Sequence, residues 1–156
     1  MPRFTATTAA AVVIAAIVLL SASPSVLGQR EITFTPCDDP GKGIVKRVTA
    51  TPCDTDPCEL KKGSMTSFNF EFIADQNTTS ITLDARVRVL GIFIPVPFIE
   101  TDMCRVIDCP VVKGQEIVGQ FNATVPRVPV KSSVIRVKVI GDEGMSCCIS
   151  YKVVLK

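Results

Sequence analysis

Apolar and polar residues alternate along most of the chain, which is the pattern of β-strands that bury one face. The clearest example is 68–74, where three phenylalanines and an alanine alternate with Asn, Glu and Ile. No segment has a convincing helical period. The pattern predicts an all-β fold, an immunoglobulin-like antiparallel β-sandwich of seven to eight strands. Further strands are expected near 32–34, 44–50, 81–98, 117–125, 135–139 and 149–155, with turns such as Asp38–Gly41 between them.

The alternating segment Leu83–Phe98 has one face that is apolar throughout and a second face that changes character. The second face begins with charged residues at 84, 86 and 88 and ends with apolar ones at 90, 92, 94, 96 and 98. A strand of an ordinary sandwich keeps this face in water along its whole length. Interpreted as one continuous strand ending at two prolines, the segment predicts either the mouth of an apolar cavity or an end covered by a loop or a partner subunit.

The N-terminal residues have the pattern of a secretory signal peptide. Arg3 precedes the apolar run Ala9–Leu20, which is shorter than the roughly 20 residues that a membrane-spanning helix needs. We therefore expect a signal peptide at 1–28 and one domain at 29–156. The expected location is extracellular, or the lumen of an endosome or lysosome. The net charge is only +2, without a basic block, which makes nucleic acid an unfavoured partner.

All seven cysteines follow the predicted signal peptide, and in an oxidising compartment we expect them to pair. A bridge from Cys37 to Cys147 or Cys148 would close most of the domain into one ring, worth roughly 4–5 kcal/mol in the chain-entropy model. The remaining adjacent cysteine would be buried and free, or exposed and reactive. Two pairs of equal spacing each predict a local clip of about 2 kcal/mol: Cys53 with Cys58, and Cys104 with Cys109.

The residues that most enzymes need are missing or lie in turns. The chain has no histidine, which excludes Ser-His-Asp and Cys-His arrangements and disfavours zinc at the two C-x₄-C pairs. The carboxylate pairs 38/39 and 54/56 lie in turn-rich segments, where Asp usually bonds the backbone. We expect no catalysis, no cofactor and no metal. Arg86 and Arg88 fit a solvated face or, alternatively, contacts to an anionic lipid headgroup. Two sequons predict glycosylation at Asn77 and Asn122.

An ordered series of motifs resembles the ML (lipid-recognition) domain family, in particular its secreted Niemann-Pick type C sterol carriers and mite group-two allergens. The resemblance covers essentially the whole of 29–156. The motifs are Cys37, VTATPCDTDPCELKKG at 48–63, the phenylalanine strand, IPVPF at 94–98, DMC at 102–104, Cys109-Pro110 and Cys148.

This resemblance implies a sandwich whose sheets part to hold one lipid, and three disulfides. It favours Cys37–Cys148, with Cys147 left without a partner. Phe98 matches the phenylalanine at the sterol entrance of the family's carriers. Three departures concern sterol specificity: Val128-Pro129 replaces a Tyr-Pro, the family's tryptophan is absent at 138–139, and Val89 replaces a glycine.

The resemblance implies a monomeric, secreted carrier of one sterol, fatty acid or phospholipid, acting in lipid transport. A membrane surface or a receptor would serve for ligand hand-off. One alternative is an innate-immune protein that presents a microbial glycolipid, for which Arg86, Arg88 and Arg127 offer basic side chains. Another is a ligand-free sandwich that acts by surface contact. The lipid-lining residues expected are Phe68, Phe70, Phe72, Leu90, Ile92, Ile94, Val96, Phe98, Phe121, Val137, Val139, Tyr151 and Val153.

Overall fold

The computed structural model describes residues 28–156, so the predicted signal peptide lies outside the described residues except for Gly28. This part of the chain forms ten β-strands and one short 3₁₀ turn, Met103–Arg105, with no α-helix. The strands are β1 Arg30–Glu31, β2 Phe34–Gly41, β3 Ile44–Thr51, β4 Cys58–Leu60, β5 Met65–Ile73, β6 Thr82–Val89, β7 Ile92–Pro95, β8 Glu116–Thr124, β9 Ser132–Gly141 and β10 Gly144–Leu155.

The strands form two sheets packed face to face, as the alternating pattern predicts. The first sheet has the order β1-β3-β5-β8, and the second has the order β2-β10-β9-β6-β7. These neighbours are antiparallel, whereas the short strand β4 pairs in parallel with β10. The predicted all-β sandwich is therefore confirmed, and seven of the ten strands have eight residues or more.

The prediction of one continuous strand over Leu83–Phe98 is wrong, because the chain turns back after Val89. Leu90 and Gly91 both have positive φ, at 50° and 89°, which is the backbone of a tight two-residue hairpin turn. Strand β7 then runs antiparallel to β6, with Ile92 opposite Val89 and Ile94 opposite Val87. The turn thus places Ile92 and Ile94 on the inner face and away from the arginines that precede them in the alternation.

The predicted turn at Asp38–Gly41 is also wrong, since strand β2 continues through it. Gly41 pairs with Cys147 of β10, and a Cβ at position 41 would lie 2.2 Å from the carbonyl oxygen of Ser146. Glycine with a φ of 77° therefore allows the backbone of β2 to approach β10 closely before the chain turns into β3.

Three disulfides hold the described chain. Cys37–Cys148 joins β2 to β10 across 111 positions. The other two close short loops, Cys53–Cys58 after β3 and Cys104–Cys109 between β7 and β8. Cys147 is free and buried. In the part of the chain that the structure describes, no helix has the length and apolar character to cross a membrane.

The long disulfide makes a testable contribution to stability. Replacing both Cys37 and Cys148 by serine removes the constraint on the unfolded chain, so we expect a loss of roughly 4–5 kcal/mol in the free energy of unfolding. Urea unfolding measures it. The matched control replaces Cys104 and Cys109, whose short loop predicts a loss of about 2 kcal/mol. Equal losses in the two variants would contradict the chain-entropy account.

Candidate functional site

The inner faces of the two sheets enclose a first cavity of about 50 Å³ near the middle of the sandwich. The three phenylalanines of β5 line it from the first sheet, because alternation points all three inward. Strands β6, β9 and β10 supply the opposite wall. The full lining is Val45, Val48, Phe68, Phe70, Phe72, Leu83, Met103, Phe121, Val137, Val139, Cys147, Ile149 and Tyr151.

A second cavity of about 30 Å³ lies towards the end of the sandwich where β8 and β10 finish. The β6–β7 hairpin turn lies at this same end, since β6 finishes there and β9 begins there. Segments outside the strands complete its wall. The full lining is Leu60, Phe68, Ala85, Val87, Val96, Ile99, Phe121, Ala123, Thr124, Val125, Pro126, Ile135, Val137, Tyr151 and Leu155.

Four side chains line both cavities and therefore separate them: Phe68, Phe121, Val137 and Tyr151. We call these four residues the partition. Phe68 and Phe121 are opposite each other on β5 and β8, and their rings stack with centroids 5.4 Å apart. If the partition side chains move aside, the two cavities become one continuous space between the sheets.

The cavity walls are almost purely apolar, and no charged residue lines either cavity. Apart from the thioether of Met103, the lining side chains that carry oxygen or sulfur are Cys147, Tyr151 and Thr124. Burial raises the pKa of the Cys147 thiol to about 12, with a smaller contribution from the negative charge of Asp75. Cys147 is therefore a neutral thiol near pH 7, and thiolate chemistry is not available to it.

Glycine at position 119 makes room for one of the lining rings. Gly119 is opposite Phe70 on the neighbouring strand, and a Cβ there would lie 2.3 Å from the ring of Phe70. The absence of a side chain at Gly119 lets the Phe70 ring pack against β8. Among residues 28–156, no group of three or more His, Cys, Asp or Glu could hold a metal ion.

The structure brings most of the predicted lining residues together. Val96 is buried and lines the second cavity. Those that line the first cavity are Phe68, Phe70, Phe72, Phe121, Val137, Val139 and Tyr151.

Five predicted lining residues do not reach either cavity. Leu90, Ile92 and Phe98 are 83%, 68% and 90% exposed, and Ile94 is partly exposed. The hairpin turn explains the exposure of Leu90, Ile92 and Ile94. It places them beyond the edge of the first sheet, which would otherwise have covered them. Phe98 follows β7 with a positive φ of 56° and projects into solvent. Val153 is fully buried, but it packs in the core beside β4.

Sequence reasoning missed the lining contributed by Leu83, Ala85 and Val87, which the alternation of β6 had assigned to plain core. The continuous apolar face of that strand was the available signal. Met103 and Ile99 come from irregular segments whose course no periodicity predicts. Cys147 was recognised as a residue without a partner, but its position in the cavity wall depends on the register of β10 against β9.

The other predicted surface residues lie outside the cavities. Arg86 is held by Asp84, with Nε 3.0 Å from the carboxylate, and the Arg127 guanidinium lies against Gly63. Asn77 is exposed, and its Oδ1 accepts a hydrogen bond from the backbone N–H of Lys113 at 2.9 Å. Asn122 is exposed on β8. Glycosylation at Asn77 and Asn122 stays a prediction.

An all-β sandwich with an apolar interior and no charged group in its walls defines a class of protein suited to hydrophobic molecules. The sequence pattern of the ML domain matches residues 31–155, so this chain belongs to the ML domain family, a family of lipid-recognition proteins. The predicted resemblance is confirmed.

Individual relatives agree with this assignment. The mite group 2 allergen Lep d 2 of Lepidoglyphus destructor is 32% identical over 132 residues, covering 84% of this chain and 92% of the allergen. The group 2 allergen Der f 2 of Dermatophagoides farinae is 35% identical over 107 residues, covering 67% and 73%. The crystal structure of a Niemann-Pick type C2 protein from the Japanese carpenter ant is similar in fold, with a TM-score of 0.70 at 18% identity, covering 80% of this chain and 99% of that one.

The partition makes a prediction about cavity shape. Replacing Phe121 by alanine should join the two cavities, because its ring lines both. We expect the variant to bind longer or bulkier apolar ligands more tightly than the wild type does, at a cost of about 3 kcal/mol in stability. Displacement of a fluorescent lipid by fatty alcohols of increasing length measures the preference.

The matched control is Phe34→Ala, which removes the same side chain from the edge of the core, where it lines neither cavity. An unchanged length preference in the Phe121 variant, or the same change in the control, would show that Phe121 does not limit the cavity.

Proposed function

We propose that this protein is a secreted, non-catalytic carrier that binds one hydrophobic ligand between its two sheets and transports it in aqueous surroundings. The observation that carries the proposal is the apolar interior, with two cavities lined by hydrocarbon side chains and no charged residue. Each 100 Å² of apolar ligand surface removed from water gains roughly 2.5 kcal/mol. Such a site therefore binds a sterol, a fatty acyl chain or a similar molecule with few polar contacts.

Ligand binding requires the interior to expand. Cavities of about 50 and 30 Å³ are far smaller than the roughly 300–1,000 Å³ of ordinary ligand sites. Expansion is feasible because the inner faces meet through apolar side chains, which repack more readily than hydrogen-bonded strands. The carrier thus alternates between a collapsed empty form and an expanded loaded form.

Secretion is supported by the signal-peptide pattern at 1–28 and by the three disulfides, which persist in oxidising compartments. Lipid binding is supported by membership of the ML domain family, and we infer the transport role from secretion combined with an apolar ligand space. The ligand-free, surface-contact alternative accounts for an apolar core but gives no reason for the space left in it.

A basic surface suited to exchange with membranes lies on the outer face of the second sheet. Opposed residues on antiparallel strands share a face, and the pairings of β6 with β9 and β9 with β10 bring five cations together against one carboxylate, Asp84. The cations are Arg86, Arg88, Arg136, Lys138 and Lys152.

Two of these cations are available for an anionic partner. Arg136 lies over the ring of Phe93, 4.0 Å from its centroid, and Arg86 binds Asp84. Within residues 28–156, Arg88, Lys138 and Lys152 form no ion pair. Lys138 is opposite Asp84 on the neighbouring strand, whereas Arg88 and Lys152 line one surface hollow that no acidic residue lines. Their strands are separated only by β9, which places their backbones roughly 10 Å apart, a span that suits a lipid phosphate.

The hairpin turn adds apolar surface to this hollow. Leu90 lines the hollow and is largely exposed. Exposed apolar residues next to unpaired cations are the combination that binds an anionic bilayer, with the side chains inserted and the charges at the headgroups. The second cavity lies towards the same end of the sandwich, so docking there brings the ligand space close to the membrane.

The first test of the carrier proposal is native mass spectrometry of the secreted protein, purified without detergent. We expect an adduct of lipid mass that organic solvent removes, and extraction then identifies it. A ligand-free mass, with no uptake from a panel of sterols, fatty acids and phospholipids, would overturn the carrier proposal and favour a surface-contact function.

The docking surface is tested by sedimentation with phosphatidylcholine vesicles that contain or lack phosphatidylserine. Arg88→Gln with Lys152→Gln should weaken binding to the anionic vesicles about thirtyfold, at roughly 1 kcal/mol per cation. Leu90→Asn should weaken it further. Asn suits the positive φ of position 90, so the fold should be retained.

Matched controls carry the same changes elsewhere on the surface. Lys42→Gln with Lys113→Gln removes two exposed charges, and Val118→Thr removes an exposed apolar side chain of β8. These variants should bind vesicles as the wild type does. If they lose as much binding as the test variants, the attraction is general and no particular surface is responsible.

A further inference from the structure

Tyr151 occupies a distinctive place in the interior. It lies in β10 between Ile135 of β9 and Phe34 of β2, it is 6% exposed, and its side chain belongs to the partition. It is also the single tyrosine of the chain, which has no tryptophan. Phenylalanine would supply the same ring to the core, so the hydroxyl is the feature that needs an explanation.

The hydroxyl of Tyr151 has no hydrogen-bond partner among residues 28–156. Burial alone raises the pKa of the phenol, with no contribution from a bonded group. A buried tyrosine hydroxyl normally finds a partner, because a donor left without one loses roughly 1–3 kcal/mol of hydration. Tyr151 lines both cavities, and its hydroxyl is not among the fully enclosed unpaired polar atoms of the described residues, which are Thr66 Oγ1 and Arg136 Nε. The hydroxyl can therefore accept a partner from outside the chain.

Water is a poor candidate for that partner. A water molecule held inside a protein usually makes two to four hydrogen bonds. Apart from Tyr151, the side chains of the first cavity offer only the weak Cys147 thiol, and those of the second offer only the Thr124 hydroxyl. A ligand that is retained by its apolar surface needs just one polar contact, and Tyr151 supplies one.

We propose that Tyr151 is a specificity-determining residue whose hydroxyl donates a hydrogen bond to a neutral oxygen on the buried part of the ligand. The inference rests on the proposed carrier function and names the ligand class: an apolar chain or ring system with one uncharged oxygen, as in an alcohol, a ketone or an ester. An ionised carboxylate at this depth is disfavoured, since no cation lines either cavity and an isolated buried charge is costly.

The test compares ligands that differ only in the polar group. Wild type and Tyr151→Phe are titrated with a fatty alcohol, a hydrocarbon and an ionised fatty acid of equal chain length, by displacement of a fluorescent lipid. For the wild type we expect the alcohol to bind most tightly. In Tyr151→Phe the alcohol should lose about fivefold in affinity, the net value of one neutral hydrogen bond, while the hydrocarbon keeps its affinity.

A matched variant separates the hydroxyl from the shape of the cavity. Phe68→Leu alters another partition residue without removing a polar group, so it should change the affinities for alcohol and hydrocarbon by the same factor. Tyr151→Phe should also unfold at an unchanged or higher denaturant concentration, because the hydroxyl that it removes has no partner to lose.

The single tyrosine provides a spectroscopic signature. The ultraviolet absorption of a phenol moves to longer wavelength when its hydroxyl donates a hydrogen bond, and Tyr151 is the residue of this chain that absorbs in that way. The alcohol should shift the band, and the hydrocarbon should not.

The outcomes separate the two proposals. If no ligand of the series binds the wild type, the carrier proposal falls, and the role of Tyr151 falls with it. If the ligands bind but Tyr151→Phe discriminates between alcohol and hydrocarbon as the wild type does, the role of Tyr151 is overturned and the carrier proposal stands. Tightest binding by the ionised fatty acid would also overturn the preference for a neutral oxygen.

Discussion

Apolar contact between the two inner faces is the interaction on which the rest of this structure depends. In the described part of the chain, every named strand pairs only within its own sheet, so strand pairing stabilises each sheet but not their association. The side chains that hold the sheets together are largely those that line the cavities. Folding and ligand binding therefore use the same surface, and a ligand must replace core contacts with contacts of its own. The interior is rich in phenylalanine and valine and contains no charged side chain. It can therefore replace contacts between the sheets by contacts to a ligand with little loss of stability.

The alternating pattern predicted the sandwich well, because burial of one face imposes a period of two on each strand. The phenylalanines of β5 and the alternating residues of β9 and β10 point inward as this period predicts, although Val153 lies in the core and reaches neither cavity. The prediction from sequence failed where the chain reverses direction without a clear turn motif. Leu90-Gly91 contains one glycine inside a long apolar run, and the left-handed backbone of Leu90 could not be anticipated from a residue that rarely adopts it. One unrecognised turn displaced Ile92 and Ile94 from the expected cavity mouth to an exposed edge.

The parts of the site that come from irregular segments lay beyond any periodic argument. Met103 and Ile99 reach the cavity walls because the chain between β7 and β8 folds back over the sandwich, as the hydrogen bond from Met103 N–H to the Ile81 carbonyl records. The partition depends on which rings of β5 meet which rings of β8, a register that alternation leaves open. Sequence alone therefore gave the composition of the interior, while its division into two cavities needed the three-dimensional structure.

The disulfide between Cys53 and Cys58 cross-links the two sheets at one side of the sandwich. It fastens the segment after β3, in the first sheet, to β4, which lies alongside β10 in the second. On the opposite side, β8 and the β6–β7 hairpin face each other, and no disulfide of the described residues ties one to the other. The two sheets are therefore joined covalently at this side, and a ligand that separates them would displace the other side further. The segment between β7 and β8, which is hydrogen-bonded to residues 78, 81 and 83, would have to move with it. A sheet separation of this kind favours ligands that are thin in one dimension and long in the others.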